Sequence, residues 1–210
     1  MIRLPLKEKG NVMTEWEKAE AGMFYVGKQE ELDRERRFSQ ELSFEYNALR
    51  PSQIREREEI IRKHFKKTGE MFRIEQPFHC DFWGRVSIGE NFFSNYNFII
   101  LAGNHIDIVD NVMIAPDCGL YAAGHPFDAE ARKAGLEYAR PIRIGDNVWV
   151  GGGAKIMGGV TIGNDAVIAA GSIVTRDMPG HVLAGGNPCR VIREISEKDD
   201  RKYMEWNWQR

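Results

Sequence analysis

His125 stands in the run Ala122-Ala123-Gly124-His125-Pro126. Histidine is the side chain whose ordinary pKa lies closest to working pH, so it can take a proton and return it. A general base is one reading. A loop histidine closing a turn before Pro126 is the other. Asn95 lies within Asn91-Phe92-Phe93-Ser94-Asn95-Tyr96-Asn97. An asparagine amide can donate to a developing oxyanion or bond a hydroxyl. Asn91 and Asn97 read by default as corner residues, where Asn tolerates positive φ. Glu137, in Gly135-Leu136-Glu137-Tyr138, can orient His125, bond a hydroxylic substrate, or simply be an exposed loop acid.

Something must hold these groups in place, and the chain has two grammars for doing so. Residues 14 to about 70 are charge-rich and nearly free of Gly. Trp16, Ala19, Met23 and Phe24 recur at helical spacing, and Leu32, Phe38, Leu42, Phe44 and Tyr46 do so more loosely. A further run, Ile54, Ile60, Ile61, His64 and Phe65, follows Ser52 as expected N-cap and precedes Gly69 as expected stop. Two or three short helices are expected, with the alternating Arg/Glu stretch Glu30 to Arg37 as a solvated face.

From about residue 74, aliphatic residues recur at every sixth position: Ile144, Val150, Ile156, Ile162, Ile168 and Val174. A weaker run, Ile88, Ser94 and Ile100, slips by two residues and resumes at Ile108, Ile114 and Leu120. A period of six is neither the 3.6 of a helix nor the 2 of an ordinary strand. It fits a parallel β-helix, in which each short strand turns one aliphatic side chain inward and tight corners take Gly, Asn or Asp. A Gly-rich β-sandwich with a chance spacing is the weaker alternative. The rhythm breaks at 125–141 and resumes at Ile142, and a repeat interrupted in this way usually carries a binding loop. The expected organisation is a helical segment over 1–73, the β-helix over 74–193, and a tail over 194–210.

The 210 residues include 29 basic and 31 acidic ones, so net charge provides no drive toward nucleic acid or an anionic membrane. No apolar run approaches the roughly 20 residues needed to span a bilayer. The N-terminus lacks the apolar stretch of a signal peptide, and Met13 is a second possible start. Cys80, Cys118 and Cys189 are scattered without CxxC spacing, which indicates neither disulfides nor a zinc cluster. The expected compartment is the cytoplasm.

Ile-Gly-x-Asn-Val-Trp-Val-Gly at 144–151, the hexapeptides after it, and Gly-Asn-Pro-Cys-Arg-Val-Ile-Arg at 186–193 resemble the maltose/galactoside O-acetyltransferase family. The resemblance spans residues 15–203 and includes Phe-Glu-Tyr-Asn at 44–47; the tail 190–195 is closer to the galactoside branch. It implies a left-handed coil and transfer of acetyl from acetyl-CoA to a hydroxyl of a galactoside, maltose or glucose type sugar. No metal is implied. His125 falls on the family's catalytic histidine and Asn95 on its active-site asparagine, with Asp81 at a polar acceptor contact. The CoA contacts map to Gly152, Ala170, Thr175, Arg176, Arg190 and Arg193; Trp149 walls the acceptor or pantetheine channel or, as a lone aromatic, equally belongs to the core or a trimer interface. Backbone groups of Gly152 and Ala170 would bond the pantetheine amides, and the arginines would meet phosphates. A homotrimer with sites between subunits is also implied. The chain departs from the family at two places: an acid or other polar residue near Val26-Gly27 and an Asp near Gly103 are missing, which leaves the acceptor open.

Two other functions fit the same repeats. A zinc lyase resembling the γ-class carbonic anhydrases would need His79, His105 and His125 to converge, and no two of them have ligand spacing. A non-catalytic scaffold would need neither His125 nor the basic tail.

Overall fold

The computed structural model describes residues 13–196, 198 and 199; the Met1 start and most of the tail lie outside them. Three sheets form the sides of a prism, parallel throughout except where Arg190–Glu194 pairs antiparallel with Val182–Gly185. The first face has four strands, among them Ile106–Ile108 and Ile142–Ile144. The second has seven, running from Phe72–Ile74 through Phe92–Ser94, Trp149–Val150 and Val167–Ile168 to Arg190–Glu194. The third has five, among them Phe78–Asp81, Phe98–Leu101, Gly119–Tyr121 and Lys155–Met157. The chain visits the faces in that order, coil after coil, and the fold is a left-handed parallel β-helix.

The six-residue register lies inside. Ile144, Val150, Ile156, Ile162, Ile168 and Val174 are buried, as are Ile88, Ser94, Ile100, Ile108, Ile114 and Leu120. Each fully buried aliphatic is worth roughly 1.5–3 kcal/mol of transfer free energy, so the stacked rows dominate stability. The corners follow from residue type. Asn91, Asn111, Asn147 and Asp165 have φ between 54° and 59° at one edge, and their side chains form a hydrogen-bonded ladder of 2.9 to 3.0 Å. Asn97 and Asp117 do the same at a second edge. Asn91 and Asn97 are therefore corner residues.

The helical segment differs from its sequence pattern in three places. Helix α1 spans only Glu15–Glu20, because Gly22 takes φ +69° and turns the chain toward strand Tyr25–Val26; Met23 and Phe24 lie beyond it, exposed. Helix α2 (Glu30–Ala48) buries Leu32, Leu42 and Tyr46 but leaves Phe38 and Phe44 outside. Helix α3 (Ile54–His64) is preceded by Gln53, not capped by Ser52, and ends before Phe65; Gly69 instead lies against the Gly89 backbone. Among the described residues, no helix is long and apolar enough to cross a membrane.

The two-residue slip has a structural use. Asn104, inside it, is buried and donates to the Ala19 carbonyl at 2.8 Å, which docks α1 on the prism.

Candidate active site

The excursion leaves the third face at Ala122 and returns at Arg140, whose N–H donates to the Ala122 carbonyl at 2.8 Å. Strands Ala123–Gly124 and Leu136–Ala139 pair antiparallel, and Tyr25–Val26 adds as a third strand. Between them lies the short helix α4 (Ala129–Lys133), capped by Asp128. Arg132 donates to the carbonyls of Pro126 and Phe127 at 2.9 and 2.7 Å, which pins the turn that carries His125.

His125 directly follows strand Ala123–Gly124 and is exposed. Its Nδ1 faces the Leu136 carbonyl at 3.5 Å, long for a formed hydrogen bond. A carbonyl only accepts, so this contact suits the tautomer with its proton on Nδ1. This backbone carbonyl is the group the ring faces among the hydrogen bonds described. The Glu137 carboxylate points elsewhere and accepts from the Tyr25 hydroxyl at 3.0 Å.

Asp81 ends its strand on the same edge and accepts from the Ala102 N–H. Burial pushes its pKa up to about 6; Glu137 nearby adds to the rise, while the Ala102 N–H and Arg36 oppose it. Folded Asp81 therefore keeps its proton to a higher pH than unfolded Asp81, whose ordinary value is 3.8. The group's contribution to stability is full below that ordinary value and is lost as pH rises to about 6. Asp81→Asn keeps an oxygen for Ala102 and removes this loss. It should raise stability by about 1–2 kcal/mol at pH 7 and leave it unchanged at pH 3.5, measured by denaturant unfolding. Equal effects at both pH values would contradict the assignment.

Asn95 occupies a different edge, between strands Phe92–Ser94 and Phe98–Leu101. Its Oδ1 accepts from Tyr96 N–H at 2.8 Å, so the amide donors are the end left to face a ligand. Successive coils place Ala115, Gly151, Ala169 and Gly185 at the same corner, linked by N–H to carbonyl bonds of 2.8 to 2.9 Å from Asn95, Ala115, Gly151 and Ala169. Gly152 and Ala170 stack there one residue on, and Gly171 N–H donates to the Gly152 carbonyl at 2.8 Å. Arg190 lies opposite Gly185 at the end of that edge, with Arg193 opposite Leu183 on the adjoining face. Arg193 is paired with Asp199 at 2.6 Å. Trp149 is half exposed on the outside of the second face, in register with Met113 and Val167, so it is not a core residue.

Thr175 and Arg176 fall on the edge that carries His125 and Asp81, not on that of Gly152 and Ala170. The sequence-derived site thus divides between two edges: His125, Asp81, Glu137, Thr175 and Arg176 on one, and Asn95, Gly152, Ala170 and Arg190 on the other. The four-residue strand Phe98–Leu101 alone separates the edges by roughly 13 Å at about 3.3 Å per residue. No described hydrogen bond joins His125 to Asn95.

Three residues of this region were not legible as site residues. Tyr25 and Gly27 meet Glu137, and Arg36 leaves the solvated face assigned to Glu30–Arg37. Its guanidinium pairs with Asp33 at 2.7 Å, lies 5.4 Å from the centre of the Phe82 ring, and influences Asp81. The nearby third-face strands and α2 border an open groove of about 620 Å³, lined by Arg36, Phe44, His79, Asp81, Ile99 and Leu101 among others. Among the described residues, no three His, Cys, Asp or Glu converge as a metal site, and His105 Nε2 faces Glu20 at 3.6 Å.

Known proteins share this architecture. Residues 141–176 match the bacterial transferase hexapeptide (six repeats) family, and residues 18–69 the maltose acetyltransferase hexapeptide capping motif. The galactoside O-acetyltransferase of Escherichia coli is 42% identical over 189 residues, 90% of this chain and 93% of that protein. The crystal structure of a maltose O-acetyltransferase from Clostridium difficile superposes with a TM-score of 0.86 at 45% identity, covering 89% of this chain and 100% of that one. A hexapeptide-repeat acetyltransferase from Vibrio cholerae, solved with acetyl-CoA, superposes at 0.80 with 36% identity, covering 88% and 100%. With the hexapeptide prism, the capping helices and near full-length similarity in hand, the chain belongs to the galactoside/maltose O-acetyltransferase family of hexapeptide-repeat acetyltransferases.

Proposed function

We propose that this acetyltransferase moves acetyl from acetyl-CoA to a hydroxyl of a sugar-like acceptor, with His125 as general base. His125 Nε2 takes the acceptor's hydroxyl proton as the oxygen attacks the thioester carbonyl. The Asn95 amide steadies the tetrahedral oxyanion. The C–S bond then breaks, and the proton on His125 passes to the departing thiolate. Gly152 and Ala170 offer backbone groups along the pantetheine arm, and Arg190, Arg193 and Arg176 offer charge to the phosphates.

The observation that carries this reading is the sorting of the residues onto two edges. A base and an oxyanion donor this far apart cannot work on one carbonyl within one chain. Two chains side by side bring one edge of each into a common cleft. The outer faces support such an assembly. The first face presents Ser87, Asp107, Arg143 and Thr161. The second presents Phe93, Met113, Trp149, Val167 and Leu183, with Arg73 at its start, and the third Ile99, Leu101, Tyr121, Met157 and Ile173, with His79 and Lys155 in the same rows. Two mainly apolar faces and one polar face suit a cyclic trimer, in which each subunit covers two faces and leaves one in water.

The test is acceptor-dependent thiol release from acetyl-CoA across galactosides, maltose, glucose and other hydroxyl compounds. Failure of every acceptor would contradict the reading. Arg190→Ala should raise the acetyl-CoA KM by about tenfold to a hundredfold, the range for a charge-assisted bond, and leave the acceptor KM unchanged. The opposite split would place the CoA groove elsewhere.

A further inference from the structure

We propose that Gly27 and Tyr25 set acceptor specificity by holding the Glu137 carboxylate beside Asp81, so that the site takes a neutral or amine-bearing polyol and turns away an acceptor carrying a carboxylate or phosphate. This rests on the acetyl-transfer reading above. Tyr25 and Glu137 are a cross-strand pair, so their side chains share one side of the small sheet. The Tyr25 hydroxyl donates to Glu137 Oε2 at 3.0 Å.

Gly27 supplies the space. A Cβ there would fall 2.2 Å from Glu137 Oε1 and 2.3 Å from its Cδ. The backbone at Gly27 is not left-handed, so this glycine is needed for room and not for a turn. Gly103 acts on the other partner. A Cβ there would lie 3.3 Å from the Tyr25 hydroxyl and 3.0 and 3.1 Å from the Cβ atoms of Ala123 and Ala139. The two positions without side chains thus accommodate the Glu137 carboxylate and the Tyr25 hydroxyl.

Charge decides what such a site accepts. Asp81 accepts from the Ala102 N–H, and the next residue, Gly103, lies against the Tyr25 hydroxyl that holds Glu137, so the two carboxylates belong to one cluster; after burial, the Glu137 charge adds to the rise of the Asp81 pKa. Arg36 is the cation that acts on Asp81 and Tyr25, and it is already paired with Asp33 at 2.7 Å while donating to the Gly27 carbonyl at 3.4 Å. The cluster therefore keeps an excess of acceptor oxygens and of negative charge. Hydroxyl and ammonium donors satisfy it, whereas an anionic acceptor meets like charge.

Gly27→Ala is a clean probe, because the atoms it displaces are the far end of a flexible side chain and the fold has no reason to change. Gly27→Ala and Glu137→Ala should each raise the acceptor KM by about tenfold with the acetyl-CoA KM unchanged, and the double variant should be no worse than Glu137→Ala alone. Glucosamine and glucose should outcompete glucuronate by at least about tenfold in the unaltered enzyme, and both variants should narrow that ratio. An equal Gly27→Ala effect in the Glu137→Ala background would overturn the proposal, as would indifference to acceptor charge. Melting temperatures separate this from failure of the acetyl-transfer reading. Gly27→Ala should lower Tm only where Glu137 is present. Glucosamine should raise the Tm of the unaltered protein more than glucuronate does, and that difference should shrink in Glu137→Ala. Should no acceptor be acetylated, these shifts still decide the matter: absence of either overturns the proposal.

Discussion

His125→Ala should lower kcat by about 10²–10⁴, the loss expected when a general base is removed, while acetyl-CoA binding measured by calorimetry stays nearly unchanged. The reason is local. His125 is exposed at the end of a strand, and its ring touches only the Leu136 carbonyl among the hydrogen bonds described, so its removal opens no core cavity. A fall in activity therefore reports chemistry and not folding. Near-unaltered turnover would remove His125 from the mechanism. Glu137→Gln should behave differently, because its carboxylate is held by Tyr25 and does not meet the His125 ring.

Much of this architecture was legible in the sequence, because a β-helix writes its geometry locally. Each coil spends one inward residue per face, so the period of six appears directly in Ile144 through Val174, and all six are buried. The corner asparagines were legible for the same reason, since positive φ favours their type. Even the shared corner of Gly152 and Ala170 is written there: they are one full coil apart, the same spacing as the Asn147 to Asp165 bond, |i−j| 18. His125 stood out because an excursion that breaks a strict rhythm is visible without coordinates.

The helix ends were less legible, since a single glycine conformation at Gly22 outweighs the apolar spacing that Met23 and Phe24 continue. The Tyr25–Glu137 contact was invisible, as it joins residues 112 positions apart through antiparallel pairing that follows no repeat. Arg36 read as one of a row of surface charges. Its inward turn depends on the Phe82 ring and on Asp33, and a helical charge pattern alone cannot show which member of the row finds such partners. The division of the site between two edges was implied by the family resemblance and not by the repeat itself, because the excursion and the two-residue slip displace the count of corners.

Asn95→Ala should lower kcat by about 10²–10³, the cost of one oxyanion donor, with both KM values little changed. Its Oδ1 serves only its own turn through Tyr96 N–H among the bonds described, and the corner itself is held by backbone bonds such as Asn95 N–H to the Ile114 carbonyl at 2.9 Å. The variant should therefore fold and assemble as before. An effect confined to acceptor KM would instead make Asn95 a contact for the acceptor hydroxyl.

The sharing of one site between two chains is tested by mixing the two inactive proteins. His125→Ala subunits still carry Asn95, and Asn95→Ala subunits still carry His125. After exchange at equal amounts, a cleft between neighbours draws His125 from one chain and Asn95 from the next. About one quarter of clefts in a randomly mixed cyclic trimer then contain both intact residues. Acetyl-CoA thiol release should recover to about that fraction of the unaltered activity per site. No recovery after exchange, verified by mass measurement of the mixed oligomers, would mean that each site is built within a single chain and would contradict the account.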